Sequence, residues 1–328
     1  MKKFSDNRNK IGLWRKYPPV CHGTSRCKIN LVFPSGRQAI TAALTVGGFG
    51  RSSLIAVPEW SSHCVISAVS RVATPAPLPE VINYGLKVDG VLLYEQWGWP
   101  LPDNAREKIA ERFKNNLIIL DRVDSADLDN KKKIKFYPEN NEFEIISLSK
   151  LIGTAGGGFL KLNGKYKKFK PDNSDFFLQK KLRGIRSDKK ILNFYKNEIK
   201  FLHPDLEAWL ENNDLFRAIG QEALSRENNL KIILNNKLSQ DWKKWMVSAV
   251  ASGSRPSLAP FFPGAPVSQL KKIKQIIEKK FGVESEIYHF NFSGDPLKPD
   301  HKICLAFPIN GLVKNTEAIL KEINKMYV

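Results

Sequence analysis

The stretch Leu117-Ile-Ile-Leu-Asp121 constrains the fold more than any other part of the chain. Four apolar residues running unbroken into a carboxylate read as a strand buried on both faces, as in a parallel sheet covered by helices. Upstream, Asp103-Asn-Ala105-Arg-Glu-Lys-Ile109-Ala-Glu-Arg-Phe113 has a capping Asp and apolar residues at i, i+4 and i+8, which predicts an amphipathic helix. It leads directly into the strand, as a crossover between parallel strands must. Residues 30–162 repeat this alternation of apolar runs and helical stretches, so an α/β sheet is expected there. Ligands of open α/β sheets sit at the carboxyl edge, where Asp121 ends its strand. A carboxylate at that edge can hold a pyridinium nitrogen protonated. An Asp that opens a loop or caps a helix is the plainer reading.

Two further segments carry chemistry. In Glu144-Ile-Ile-Ser147-Leu-Ser149-Lys150, followed by Leu-Ile-Gly-Thr-Ala-Gly-Gly-Gly158, a strand is expected to end at the lysine, with a glycine-rich loop leaving room for a bulky ring. Lysine forms Schiff bases with carbonyl cofactors, and nearby hydroxyls can hydrogen-bond a phosphate. A surface lysine before a glycine turn is the alternative. In Asn30-Leu-Val-Phe-Pro-Ser35-Gly36-Arg37-Gln38-Ala39, a Ser-Gly pair opens a helix-like run. Free N–H groups and the positive end of the helix dipole would face a phosphate there, and Arg37 could add a bidentate contact. Ser-Gly before a helix is also common for capping alone.

These three segments, in this order, resemble fold-type-I pyridoxal-phosphate enzymes, specifically the DegT/DnrJ/EryC1 family of sugar aminotransferases. Ser53-Leu-Ile-Ala-Val-Pro58-Glu-Trp60-Ser-Ser-His63-Cys64 is similar to that family's strand, proline and polar-aromatic loop, and Leu92-Leu-Tyr-Glu-Gln-Trp-Gly98-Trp-Pro100 to its strand ending in an aromatic-glycine turn. The resemblance covers roughly residues 30–162. It implies a mostly parallel central sheet with helices on both faces. It makes Lys150 the Schiff-base lysine and Asp121 the partner of the pyridine nitrogen, with Ser35, Gly36, Arg37 and Ser147 around the phosphate. Ser147 and Ser149 compete for the last role. Trp60, by ring area, is the residue expected to stack on the cofactor, and a core tryptophan is the other reading. Asp124 falls where the family carries Gln or His near the cofactor's phenolic oxygen. The family's partner-chain Asn-x-Arg segment has no clear counterpart, Lys165 to Lys170 and the Asp172-Asn173 turn occupying that region.

Beyond about residue 165 the texture changes to long polar helices, among them segments at Leu206 to Leu210 and Leu215 to Ile219, with Arg226 downstream. Ser252 to Pro266 reads as a loop. Helices at Leu270 to Ile277 and Thr316 to Tyr327 flank strand-like Ile287 to Phe292 and Ile303 to Phe307, a credible smaller α+β domain. The expected division is a large cofactor-binding domain, 1–200, and a small C-terminal domain, 201–328.

No apolar run approaches the roughly 20 residues of a membrane span, and the polar start lacks the core of a signal peptide. Cys21, Cys27, Cys64 and Cys304 are few and scattered, which suits the cytoplasm, and no zinc-ligand spacing is present. The net charge of +19 gathers at Lys131 to Lys133, Lys165 to Lys170 and Lys180 to Lys190. Such runs are either solvated faces or attract anionic substrates such as nucleotide diphosphates, and no nucleic-acid motif accompanies them. The resemblance therefore implies a cytoplasmic homodimer that transfers an amino group, from glutamate, to a nucleotide-linked keto sugar in surface-polysaccharide or related synthesis. The family's dehydratases replace the lysine with histidine, so Lys150 argues against that branch. A different pyridoxal-phosphate chemistry, or a binding protein that kept the fold without turnover, are the rivals.

Overall fold

The computed structural model describes residues 11–16, 18–21, 31–126, 142–162 and 202–327. The basic runs at 131–133, 165–170 and 180–190, the turn at 172–173, His22, Cys27 and the division at 200/201 lie outside the described residues.

The apolar runs form one seven-stranded sheet. In chain order the strands are β1 (Leu31–Phe33), β2 (Leu54–Val57), β3 (Thr74–Pro77), β4 (Gly90–Tyr94), β5 (Leu117–Asp121), β6 (Glu142–Ser147) and β7 (Gly158–Leu162). They lie side by side as β1-β7-β6-β5-β4-β2-β3. Every neighbour pair from β3 through β6 is parallel, and β7 runs antiparallel to both β6 and β1. All five residues of β5 are buried, as its unbroken apolar run requires.

The two faces sort by strand periodicity. Ile55, Val57, Leu92 and Ile119 pack with α1 (Gly36–Val46) and α2 (His63–Ser70) on one face. Their sequence neighbours Ala56, Val91, Leu93, Ile118 and Leu120 pack with α3 (Leu78–Asn83) and α4 (Asp103–Arg112) on the other. Helices therefore cover both faces, and β5 is buried because each alternate residue meets a different layer. The α4 helix differs in one detail from its sequence reading. Pro102 takes the cap position and Asp103 lies inside the first turn, where its charge still favours the positive helix end.

Lys150 is not at a strand end. β6 stops at Ser147, and Lys150 sits on the short helix α5 (Leu148–Ile152), which Gly153 ends in the left-handed conformation at φ 75°. Helices α6 (Pro204–Asn212) and the first half of α7 (Leu215–Leu234) pack on α5 and on Ile146 and Phe159 of the sheet. The second half of α7, through Leu230 and Ile233, enters a different core. That core belongs to a three-stranded antiparallel sheet, β8-β10-β9, covered by α8 (Lys244–Ala251), α9 (Val267–Phe281) and α10 (Thr316–Tyr327). Its strands are β8 (Leu258–Phe261), β9 (Glu286–Asn291) and β10 (His301–Pro308). β8 lies within Ser252 to Pro266, which the sequence presented as a loop. Its Pro260 hides the strand, yet β8 pairs on one side only, with β10, and an edge position tolerates proline.

The segment from Ile11 to Cys21 straps the two cores. Ile11 forms a parallel bridge with Val283, and the Asn310 side chain donates to the Gly12 carbonyl at 3.1 Å. Leu13 is buried in the C-terminal core, and Arg15 pairs with Glu222 of α7 at 3.0 Å. Among the described residues no helix is long and apolar enough to cross a membrane.

Candidate active site

The carboxyl ends of β4, β5 and β6 and the N-terminus of α1 meet in one place. Asp121, the last residue of β5, is 1% exposed, and its carboxylate accepts from the Val123 N–H at 3.2 Å. Burial, with repulsion from Asp124 and Glu95, pushes its carboxyl up to about 7, against the pull of Lys150 and the Val123 N–H. Among the described residues no cation pairs directly with this buried acid, which suits a ligand that brings one.

Asp124 is better supplied. It is fully buried and accepts from the Trp14 indole N–H at 2.9 Å and from the Tyr94 hydroxyl at 2.6 Å. Lys150 reaches it at 3.3 Å to one oxygen and 3.4 Å to the other. The Lys150 ammonium lies 5.2 Å from the centre of the Trp14 ring, a cation–π distance. Burial is the largest influence on this amine and pushes it down, but Asp124 and Asp121 together outweigh burial and hold it above the ordinary lysine value. The side chain keeps 37% exposure, so its amine is approachable.

Behind these groups the scaffold is heavily tied. The buried guanidinium of Arg226 donates to the Asp124 carbonyl at 2.8 Å and to the Leu151 carbonyl at 3.4 Å, joining the turn after β5 to α5. It pairs with Glu222 at 2.8 Å, which compensates its own charge. Under β5, Arg122 bridges Glu95 at 2.9 Å and Glu144 at 3.0 Å. Burial pushes the Glu144 carboxyl up, but Arg122 and Lys161 outweigh it and leave it below the usual range.

The N-terminus of α1 is built as a cradle. Ser35 caps the helix, accepting from the Gln38 N–H at 3.3 Å. Gly36 abuts Val123 and Ser147, where a Cβ would stand 3.3 Å and 3.5 Å from their side chains. Ser147 and Ser149 hydrogen-bond each other at 3.1 Å, so the two serines share one spot rather than exclude each other. Arg37 is exposed. The glycine run plays a different part from the one its sequence suggests. Gly157 donates to the Pro34 carbonyl at 2.7 Å, and a Cβ on Gly158 would overlap the Ser35 carbonyl. The space beside these glycines holds the backbone that carries Ser35, not a ring.

Trp60 is 54% exposed and is not a core tryptophan. Its ring lies 4.6 Å from the His289 ring and 5.2 Å from the His301 ring, both on the small sheet. With Tyr94, Gln96, Asn291 and His301 it lines a cavity of about 60 Å³ that borders the Asp124 group through Tyr94. Cys64 and Tyr288 also lie within electrostatic reach of Lys150. The site thus gathers Lys150, Asp121, Asp124, Ser35, Gly36, Ser147 and Ser149, with Trp60 at its flank. The sequence reading missed Trp14, Tyr94 and Tyr288 as site residues. Tyr94 lies in the aromatic-glycine turn and Tyr288 in the strand-like Ile287 to Phe292, but nothing local marks either, or Trp14, as facing Lys150.

The donor set fits pyridoxal phosphate: an open amine, an acid in want of a protonated ring nitrogen, and a helix N-terminus ringed by hydroxyls for a phosphate. Comparison with known proteins agrees. A family model described as "Putative PLP-dependent aminotransferase" matches residues 21–310. No curated protein sequence matches the chain. Among solved structures, "Putative sugar aminotransferase Spr1654" from Streptococcus pneumoniae, in its PLP form, is similar over 90% of this chain and 86% of its own, at TM-score 0.55 and 13% identity. A DegT DnrJ EryC1 StrS aminotransferase from Brucella abortus is similar over 90% and 85%, at TM-score 0.52 and 15% identity. An aromatic aminotransferase from Pyrococcus horikoshii OT3 is similar over 98% and 96%, at TM-score 0.52 and 11% identity. At such identities these three establish the fold. The family model spans most of the chain, and the protein belongs to that family: it is a pyridoxal-phosphate-dependent aminotransferase.

Proposed function

We propose that this aminotransferase carries an amino group from an amino acid, glutamate being the expected donor, to a keto sugar bearing a nucleotide. The observation that carries the catalytic part is the meeting of the Lys150 amine, the Asp121 carboxyl and the α1 cradle at one sheet edge. Pyridoxal phosphate, when bound, supplies an aldehyde that takes up and releases the amino group, and a ring that accepts the electron pair of the substrate carbon. Lys150 binds that aldehyde through Nζ and, when released, moves a proton at the substrate carbon as base and then acid. Asp121 holds the proton on the ring nitrogen. Ser35, Gly36, Arg37, Ser147 and Ser149 hold the phosphate, and Trp60 shields the ring from water.

The sugar class is supported by likeness to the putative sugar aminotransferase from Streptococcus pneumoniae and by the half-exposed Trp60 beside polar Gln96 and Asn291, a surface suited to a hydroxylated ring. The basic composition favours an anionic, nucleotide-linked form. A cytoplasmic homodimer, with a cofactor unit at 1–200 and a smaller unit at 201–328, completes the reading.

The test is the absorbance spectrum of purified protein with pyridoxal phosphate, before and after glutamate, then after candidate keto sugars. The lysine-bound band should bleach with glutamate and return with the accepting sugar. Borohydride should fix the cofactor on Lys150, and Lys150→Ala should lose the band and all transamination while keeping the fold. Fixation on another lysine removes Lys150 from its role.

A further inference from the structure

We propose that Asp124 is the standing counter-ion of the Lys150 nitrogen, keeping it cationic both as the free ammonium and after it has condensed with the cofactor's aldehyde. This rests on the reading of Lys150 as the cofactor lysine and adds to it a role for a carboxylate that the phosphate cradle and the ring-nitrogen contact leave unused.

The hydrogen-bond pattern sets the charge of Asp124. Trp14 offers only a donor, and so does the Lys150 ammonium. The Tyr94 oxygen accepts from the Trp97 N–H at 3.1 Å, which leaves its hydrogen for Asp124. Three donors from three elements therefore converge on the two oxygens, and an acceptor-only carboxylate is the species that satisfies them. Asp121, by contrast, makes no hydrogen bond to Lys150 among the described contacts.

The backbone that carries the carboxylate is held in place. Arg226 from α7 holds its backbone carbonyl at 2.8 Å, and Gly98, at φ 86°, is packed so closely on that carbonyl that a Cβ would come within 2.6 Å of it. The charged and titratable groups around the pair are Tyr94 of β4, Asp121 of β5, Cys64 of α2 and Tyr288 of β9. Arg226 of α7 is the other cation beside Asp124 among the described residues, but it meets the backbone carbonyl and its charge is paired with Glu222, so Lys150 is the cation that meets the carboxylate.

The same counter-ion serves the nitrogen before and after condensation. An ammonium and an aldehyde give a protonated imine and water: the C=N bond forms, the C=O bond breaks, and two of the three N–H hydrogens leave with the oxygen. The third stays on nitrogen, so the positive charge facing Asp124 is conserved. A nitrogen that holds this proton keeps its carbon electrophilic toward an incoming amine well above neutral pH.

Full-length wild type, Asp124→Asn and Asp124→Glu, loaded with pyridoxal phosphate, should be titrated by absorbance. The pH at which the lysine-bound band changes should fall by about one unit or more in Asp124→Asn, since a neutral neighbour removes the nearest opposing charge and leaves only the weaker pull of Asp121 against burial. Asp124→Glu should recover part of that shift. In cofactor-free protein, acetic anhydride should label Lys150 about tenfold faster in Asp124→Asn near pH 8, read by mass spectrometry. If Asp124→Asn does not fold, the wild type decides: a labelling midpoint for Lys150 at or below that of an ordinary lysine overturns the pairing. An unchanged midpoint in Asp124→Asn, with borohydride still fixing the cofactor on Lys150, overturns the counter-ion and leaves the cofactor lysine standing. Fixation elsewhere overturns the assignment on which it rests.

Discussion

Cofactor-free protein should lose stability as pH rises toward 8, and Asp121→Asn should remove that loss. The Asp121 carboxyl ordinarily ionises at 3.8, and burial pushes it up to about 7 in the folded chain. The folded state thus binds this proton more tightly than the unfolded state. The stabilisation is complete below 3.8 and is lost as pH rises to about 7. Between about pH 5 and about pH 8, ionisation favours the unfolded chain by about 4 kcal/mol and the folded chain by only about 1 kcal/mol. The net loss is about 3 kcal/mol. An unfolding entropy of about 0.7 kcal/mol/K for a chain of 328 residues converts this to about 4 °C of melting temperature. Calorimetric melts of wild type and Asp121→Asn across that range give the assay, the difference between the two curves cancelling other titrations. The wild type should fall by about 4 °C relative to the variant, and saturating pyridoxal phosphate should flatten the fall by bringing a protonated ring nitrogen to the acid. A flat difference curve would mean that Asp121 is already ionised at pH 5 in the fold, and the argument from its burial fails.

Arg226→Ala strips the Asp124 and Leu151 carbonyls of a donor and weakens the pairing of buried Glu222, so denaturant unfolding should register a loss of about 3 kcal/mol together with weaker cofactor binding. Gly158→Ala drives a methyl into the Ser35 carbonyl, and should cost about 1–3 kcal/mol while raising the cofactor's dissociation constant; wild-type affinity would clear that contact of any part in the cradle. If the basic composition recruits a nucleotide-linked sugar, kcat/KM should fall as salt rises, more for the linked sugar than for the free one, and a flat profile would leave the lysines as solvated surface.

What the sequence made legible were features that local spacing encodes. An unbroken apolar run ending in Asp121 can lie only between two covered faces, and the Ser35-Gly36 pair caps α1 as its residues dictate. The Lys150 segment is legible as a strand running into a glycine loop, yet the place of Lys150 on α5 is not. A helix of five residues is too short to impose a 3.6-residue period on the pattern. The glycines after it looked like empty space because their neighbour, the Pro34-Ser35 backbone, lies more than a hundred residues away in the chain. Asp124 was placed near the cofactor but not beside Lys150. Its pairing depends on Trp14, Tyr94 and Arg226, whose convergence is a property of tertiary packing alone.

The strap from Ile11 to Cys21 sets the order in which the molecule can be finished. Gly12 is held by Asn310, a sequence separation of 298 residues, and Trp14 meets Asp124 across 110. Contacts so far apart in the chain must close large loops before they return any energy, and they form late. At synthesis rates of about 5–20 residues per second, residue 12 waits roughly 15 to 60 s for residue 310 to exist. Through that interval the strap that carries the Trp14 indole lacks its Asn310 anchor. Full docking of the strap is thus expected late in folding, and the pocket around Lys150 lacks its Trp14 wall until the strap docks.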